Sequence, residues 1–213
     1  MYTLYNVKRW GSMGPHFLLE ELGVPYQSAW MTPEQVREPD FRDLSPLGYI
    51  PVLKLDDGHA IFESAAIVSF LTTAHADKGM APMPGTGDHG TYLAWLSFLS
   101  ANIYSAINLT FEAQGFSESP EMAAVIKGKA VKHVNDLFDI VEKRLEKAGP
   151  FLLGEEMSAV DLYLFMLTIW AEPSERALHE RCPKIRALAE AVRERPKLRA
   201  ILEVHGVDKV PDA

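Results

Sequence analysis

Residues Gly48–Leu71 read GYIPVLKLDDGHAIFESAAIVSFL. Pro51 has no backbone donor, so it opens the apolar run Val52–Leu55 rather than sitting inside it. That run has the branched, apolar character of a strand. Asp56-Asp57-Gly58 is a hairpin turn signal, and Ala60–Phe62 pairs back. From Ser64 onward Ile67, Val68 and Leu71 recur at helical spacing. The stretch is therefore strand, turn, strand, helix, with Glu63 and Ser64 at the last junction. On the residues alone this junction is a helix N-cap with an acidic neighbour, favoured by the unpaired N–H groups and the helix dipole. The same N–H groups and hydroxyl also make a carboxylate-binding site.

The flanking sequence extends the unit. TLYNV, residues 3–7, is strand-like, and a loop, KRWGSMG, follows. Pro15 suits a first helical turn and Gly23 a helix stop, so PHFLLEELG is a helix. YQSAWM is a second short strand, and residues 32–48 are polar and broken by prolines. Residues 1–76 thus order as β-α-β-loop-β-β-α, an α/β thioredoxin-like domain with a mixed sheet covered by helices. The Gly- and Pro-rich segment DKGMAPMPGTGD, residues 77–88, reads as a linker. Residues 89–213 are an all-α C-terminal domain. Ile126, Ala130, Val134, Leu137, Val141 and Leu145 form the stripe of one long amphipathic helix. SAVDLYLFMLTIWAE, residues 158–172, carries so little charge after Asp161 that it is the buried central helix, and Ser158–Asp161 is a capping-box variant. Two final helices break at Pro196.

Lys and Arg total 21 against 29 Asp and Glu, a net charge of −8. An acidic chain without a basic patch is a poor partner for nucleic acid or an anionic membrane. No apolar run approaches the roughly 20 residues needed to span a bilayer. Cys182 is the one cysteine, which rules out a disulfide within the chain and suits a reducing compartment. The start lacks a signal-peptide pattern, so a cytoplasmic location is expected. The seven histidines show no metal-ligand spacing and no G-x-S-x-G elbow is present, so neither a metal site nor a hydrolase is expected.

The ordered set of a thioredoxin-like unit, a short linker and a helical second domain resembles the cytosolic glutathione transferases. Ile50–Pro51 leading a strand and Glu63–Ser64 opening a helix carry the resemblance. So do FLLGEEMSAVDLYLF with Gly154, and the tail CPKIRALAEAVRERPKL. It implies a fold, glutathione as co-substrate and a homodimer. It further implies that Pro51 is cis and turns the backbone of Ile50 toward the cysteinyl part of glutathione. Ser64 would take the γ-glutamyl carboxylate and Glu63 the ammonium.

The resemblance places the thiol-activating group in the loop after the first strand, where Ser12 is the only hydroxyl. A hydroxyl donor and a helix N-terminus both favour a thiolate. The loop resembles that of the bacterial beta-like transferases, whose active-site cysteine falls on Gly11, and no cysteine stands here. Thiol–disulfide chemistry is disfavoured, and Cys182, beside Pro183 in the tail, is expected to be inert. Tyr5, Asn6 or a backbone N–H are alternatives to Ser12. The acceptor site implied by the resemblance would use Phe98, Asn102, Tyr104 and Phe111, with Trp10 and Met13 as its near rim. Taken singly, Trp95, Phe98, Phe111 and Trp170 read as core. The beta-like relatives have a His–Lys pair where this chain has Tyr104 and Ser105, so a hydrophobic electrophile is expected. Other glutathione reactions (ether cleavage, isomerisation, peroxide reduction) and a non-catalytic binding protein of the same fold remain open.

Overall fold

Strand β1 (Tyr2–Asn6) lies inside a four-stranded sheet of order β2-β1-β3-β4. The computed structural model describes residues 1–211. β1 pairs in parallel with β2 (Tyr26–Trp30) and antiparallel with β3 (Val52–Lys54), and β3 pairs antiparallel with β4 (Ala60–Phe62). The parallel pair needs a crossover, and α1 (Met13–Leu22) supplies it. Helix α1 ends at Gly23, whose φ of 63° lets its N–H reach the carbonyls of Leu19 and Glu20. Nine of its ten residues are buried, so it is an interior helix rather than a surface one. Helix α3 (Ser64–Ala74) buries Ile67, Val68 and Leu71. This matches the expected mixed sheet covered by helices. One short helix, α2 (Pro33–Arg37), forms inside the polar loop, where Thr32 and Gln35 make a reciprocal capping box.

The second half is helical: α4 (Gly87–Phe98), α5 (Ser105–Glu112), α6 (Pro120–Ala148), α7 (Ala159–Thr168), α8 (Glu175–Arg181), α9 (Pro183–Arg193) and α10 (Arg199–His205). All ten residues of α7 are buried, as its lack of charge predicts. The 29-residue α6 buries Ala130, Val134, Leu137, Val141 and Leu145 along one stripe. Between α4 and α5 the helix is interrupted by a π-helical segment, Leu99–Tyr104. Glu142, buried on α6, accepts the N–H groups of Lys184 and Ile185 at 2.8 and 2.9 Å and caps α9. Cys182 is buried beside it, and burial pushes its thiol pKa up, which disfavours the thiolate.

The chain forms two compact units. The first comprises Met1–Gly90 with Val192–Lys209, and the second Thr91–Ala191 with residues 210–211. The last helix, α10, which the sequence reading assigned to the helical domain, falls within the first unit. Arg195 is the reason in part: it grips the buried Glu21 carboxylate of α1 with two bonds of 2.6 and 2.5 Å. Lys197 adds a bond to the Glu21 carbonyl at 2.7 Å. Among the described residues no helix is long and apolar enough to cross a membrane.

Candidate functional site

Sheet register brings three distant pieces of sequence to one end of the sheet. Tyr5 on β1 pairs with Val52 on β3, and Val52 pairs with Phe62 on β4. Just beyond this row lie the loop 7–12, Ile50–Pro51 and Glu63–Ser64. Neighbouring strands are about 4.8 Å apart, so the three segments are adjacent although they span more than fifty residues of chain. Helices α1 and α3 both start at this end, which directs two sets of N–H groups and two positive dipole ends toward the same region.

Each segment has an unusual backbone. The Ile50–Pro51 bond is cis. Glu63 is exposed and adopts φ 67°, ψ 114°, a region that non-glycine residues rarely occupy. Such an outlier is retained where the surroundings over-determine it, often at a ligand site. Glu63, and not Ser64, occupies the cap position of α3, and its side chain makes no cap hydrogen bond. Ser64 is the first helical residue and is buried. Arg9, in the loop after β1, is the other non-glycine residue at positive φ (62°) among the described residues.

Ser12, the hydroxyl expected to donate to the thiolate, is directed into the interior. It is fully buried, donates to Asn6 Oδ1 and accepts from the Val7 N–H at 3.3 Å. Asn6 is equally buried and turns its amide inward. Tyr5 packs its ring against Phe41, 5.8 Å between centroids. A polar residue at the buried end of β1 needs internal partners, and Ser12 is one of them. Gly11 and Ser12, both buried, directly precede α1.

Behind the loop lies a polar chain that sequence reading missed. Asn6 Nδ2 donates to His16 Nδ1 at 2.8 Å. His16 Nδ1 also lies 3.0 Å from His205 Nε2. His16 Nε2 meets the Tyr26 hydroxyl at 2.8 Å, and that hydroxyl donates to Glu20. His205 Nδ1 accepts the Arg9 N–H at 3.3 Å. These roles are consistent with one tautomer each: His16 protonated on Nε2, His205 on Nε2. Both rings must be neutral, because a proton on His16 Nδ1 would face two donors. Burial lowers the His16 pKa to about 4. Burial, with His16, Lys8 and Arg9 nearby, lowers that of His205 to about 3. His16 and Ser12 are joined through Asn6.

Neutral burial of these two rings has a sign. A histidine depressed from 6.5 favours folding above pH 6.5 and loses that contribution as pH falls toward 4. Asp161, pushed up to about 6 by burial, works the other way, gaining stability as pH falls through 6. The net stability curve therefore mixes the two, and resonance titration separates them. The ring C2–H signals of His16 and His205 are expected to hold their neutral positions from pH 8 down to 5. Titration of either near 6.5 would contradict the tautomer assignment.

The expected acceptor-site residues divide. Met13 is fully buried and forms no rim. Trp10 is half-buried and packs against a buried cluster that comprises Val7, Val36, Phe41, Ile50 and Val52. In the second unit Phe98 packs edge-on to Trp95 at 5.4 Å. Tyr104 stacks on Trp170, 5.3 Å between centroids at 28°. Asn102 and Phe111 are exposed, so Phe111 is not core. The π-helical Leu99–Tyr104 changes the angular step between these residues from that of a continuous α-helix. Among the described residues no group of three His, Cys, Asp or Glu side chains is placed to hold a metal ion.

Comparison with known proteins gives the family. Residues 12–74 match the glutathione S-transferase N-terminal domain and residues 108–205 the C-terminal domain. The chain is 27% identical over 208 residues to the uncharacterized GST-like protein YncG of Escherichia coli K12, covering 95% of this chain and 98% of that one. A glutathione transferase from Methylococcus capsulatus superposes with a TM-score of 0.83 at 30% identity, covering 97% and 100% of the two chains. A sphingomonad glutathione S-transferase solved with glutathione superposes at 0.82 with 25% identity, over 96% and 99%. The chain belongs to the cytosolic glutathione S-transferase family.

Proposed function

We propose that this protein binds glutathione and activates its thiol for attack on a hydrophobic electrophile. The observation that carries the reading is the sheet register, which sets the loop 7–12, Ile50–Pro51 and Glu63–Ser64 side by side. Glutathione bound along Ile50–Pro51 would place its γ-glutamyl carboxylate at Ser64 and the start of α3, with Glu63 pairing with the ammonium. Its sulfur would lie at the start of α1. The relative solved with glutathione supports this choice of ligand.

With Ser12 turned inward, thiol activation falls to the N–H groups of Gly11 and Ser12 and to the α1 dipole. A thiol pKa near 8.5 falls at such a helix N-terminus. The thiolate then attacks the electrophile, and positioning supplies much of the rate. We also propose a homodimer, which gel filtration at two concentrations tests.

A second reading, a glutathione-binding protein without transferase turnover, is favoured by one observation: no side-chain hydroxyl in the loop 7–12 is exposed. Calorimetric titration with glutathione and an aryl-halide conjugation assay distinguish the two. Binding with turnover is the expected result. Binding without turnover selects the second reading, and no binding at millimolar glutathione removes both.

A further inference from the structure

Residues 192–209, part of the first unit, are tied to α1 and to the loop 7–12 at two separate points. One is the Arg195–Glu21 pair at the far end of α1. The other is at the loop 7–12, where Arg9 donates its main-chain N–H to His205 Nδ1 and its guanidinium Nη1 to the Gly206 carbonyl at 2.9 Å. Arg9 is exposed, yet it holds φ 62°. A left-handed non-glycine residue is disfavoured unless something holds it, and two bonds that hold Arg9 come from His205 and Gly206. His205 is itself fixed. It is 2% exposed, its Nε2 meets His16, and its ring packs against Phe17 and Trp30.

We infer that His205 is a positioning residue: by accepting the Arg9 N–H it sets the conformation of the loop 7–12 and so aims the Gly11 and Ser12 N–H groups at the glutathione sulfur. The assignment rests on the proposed glutathione site for its catalytic consequence, and on geometry alone for its effect on the loop. Arg9 sits two residues before Gly11, and the turn it forms closes through Trp10 N–H to Val7 O and Met13 N–H to Trp10 O, at 3.2 and 3.0 Å. A change at Arg9 is passed directly to the N–H groups ahead of α1. The Arg195–Glu21 anchor remains when His205 is changed, so residues 192–209 stay tied to α1.

Two substitutions separate the two ends of the imidazole. His205→Asn keeps an acceptor where Nδ1 stood; His205→Gln keeps a donor where Nε2 stood and loses the acceptor. In H205Q the amides of residues 9–12 are expected to exchange with solvent at least tenfold faster, the thiol pKa of bound glutathione to rise by about one unit, and kcat at pH 6.5 to fall about tenfold. KM for glutathione should change less than threefold. H205N should restore most of the exchange protection and the thiol pKa. Arg195→Met, at the other anchor, should lower Tm without moving the loop exchange. Loop exchange and thiol pKa unchanged in H205Q, with only Tm lowered, would overturn the assignment. Faster loop exchange in H205Q while wild type fails to bind glutathione would uphold the positioning of the loop and remove the glutathione site alone.

Discussion

Asp161→Ala is expected to destabilise the protein by about 3–5 kcal/mol, the largest effect of any single side-chain truncation at a cap. The Asp161 carboxylate is fully buried and accepts three bonds: Leu152 N–H at 2.8 Å, Ser158 N–H at 2.8 Å and the Ser158 hydroxyl at 2.9 Å. Removing it leaves three buried donors without an acceptor, at about 1–3 kcal/mol each with partial relaxation. It also frees the segment before α7, which the Phe151–Gly154 bridge and the bond from Arg144 Nε to Leu152 O otherwise hold. For a chain of this size that destabilisation lowers Tm by roughly 6–20 °C. Asp161→Asn keeps one acceptor and should lie between wild type and Asp161→Ala. A Tm within 2 °C of wild type for Asp161→Ala would show that α7 does not depend on this cap. The prediction concerns stability only, because Asp161 lies in the second unit and the glutathione site is proposed in the first.

The second large effect is on binding. Ser64→Ala is expected to weaken glutathione by about 10- to 100-fold, the loss of one hydrogen bond to a charged carboxylate at a helix N-terminus. Ser64 is the first residue of α3 and buried, so its hydroxyl competes poorly for water and a lost bond is not replaced. Tm should fall by only a few degrees, since Ser64 does not serve as the cap of α3. Calorimetry on both proteins at one pH and salt concentration measures the ratio. An affinity within twofold of wild type would move the carboxylate away from the start of α3.

Ser12 carries a different expectation from the one its sequence position suggests. As the partner of Asn6 and Val7, its removal should lower stability and disturb the loop together. A Ser12→Ala variant that loses activity therefore does not by itself identify a thiolate donor. The thiol pKa in that variant does: it stays near the wild-type value if main-chain N–H groups hold the sulfur.

How much of this was legible beforehand follows from the range of the interactions involved. Short-range signals sufficed for the elements. The apolar run after Pro51, the Asp-Asp-Gly turn and the helical spacing from Ser64 are each written within a few residues, and the β3–β4–α3 unit formed as they imply. The stripe on α6 and the uncharged run of α7 settled which helices carry a buried face, because burial of apolar area is summed along one element. The Ser158–Asp161 cap was legible for the same reason, its members being three residues apart. What the folded chain alone decided concerns polar groups that must find partners once buried. Ser12 turned inward because Asn6, at the buried end of β1, lies beside it. His16 found His205, 189 residues away, and Arg195 found Glu21 across 174. Nothing in the local sequence marks such pairs: a lone histidine on an apolar helix looks the same whatever it meets. The sequence by itself determined the elements and their order; packing decided which hydroxyls, imidazoles and carboxylates face one another, since an unpaired polar group in the interior costs more than its local neighbours can offset.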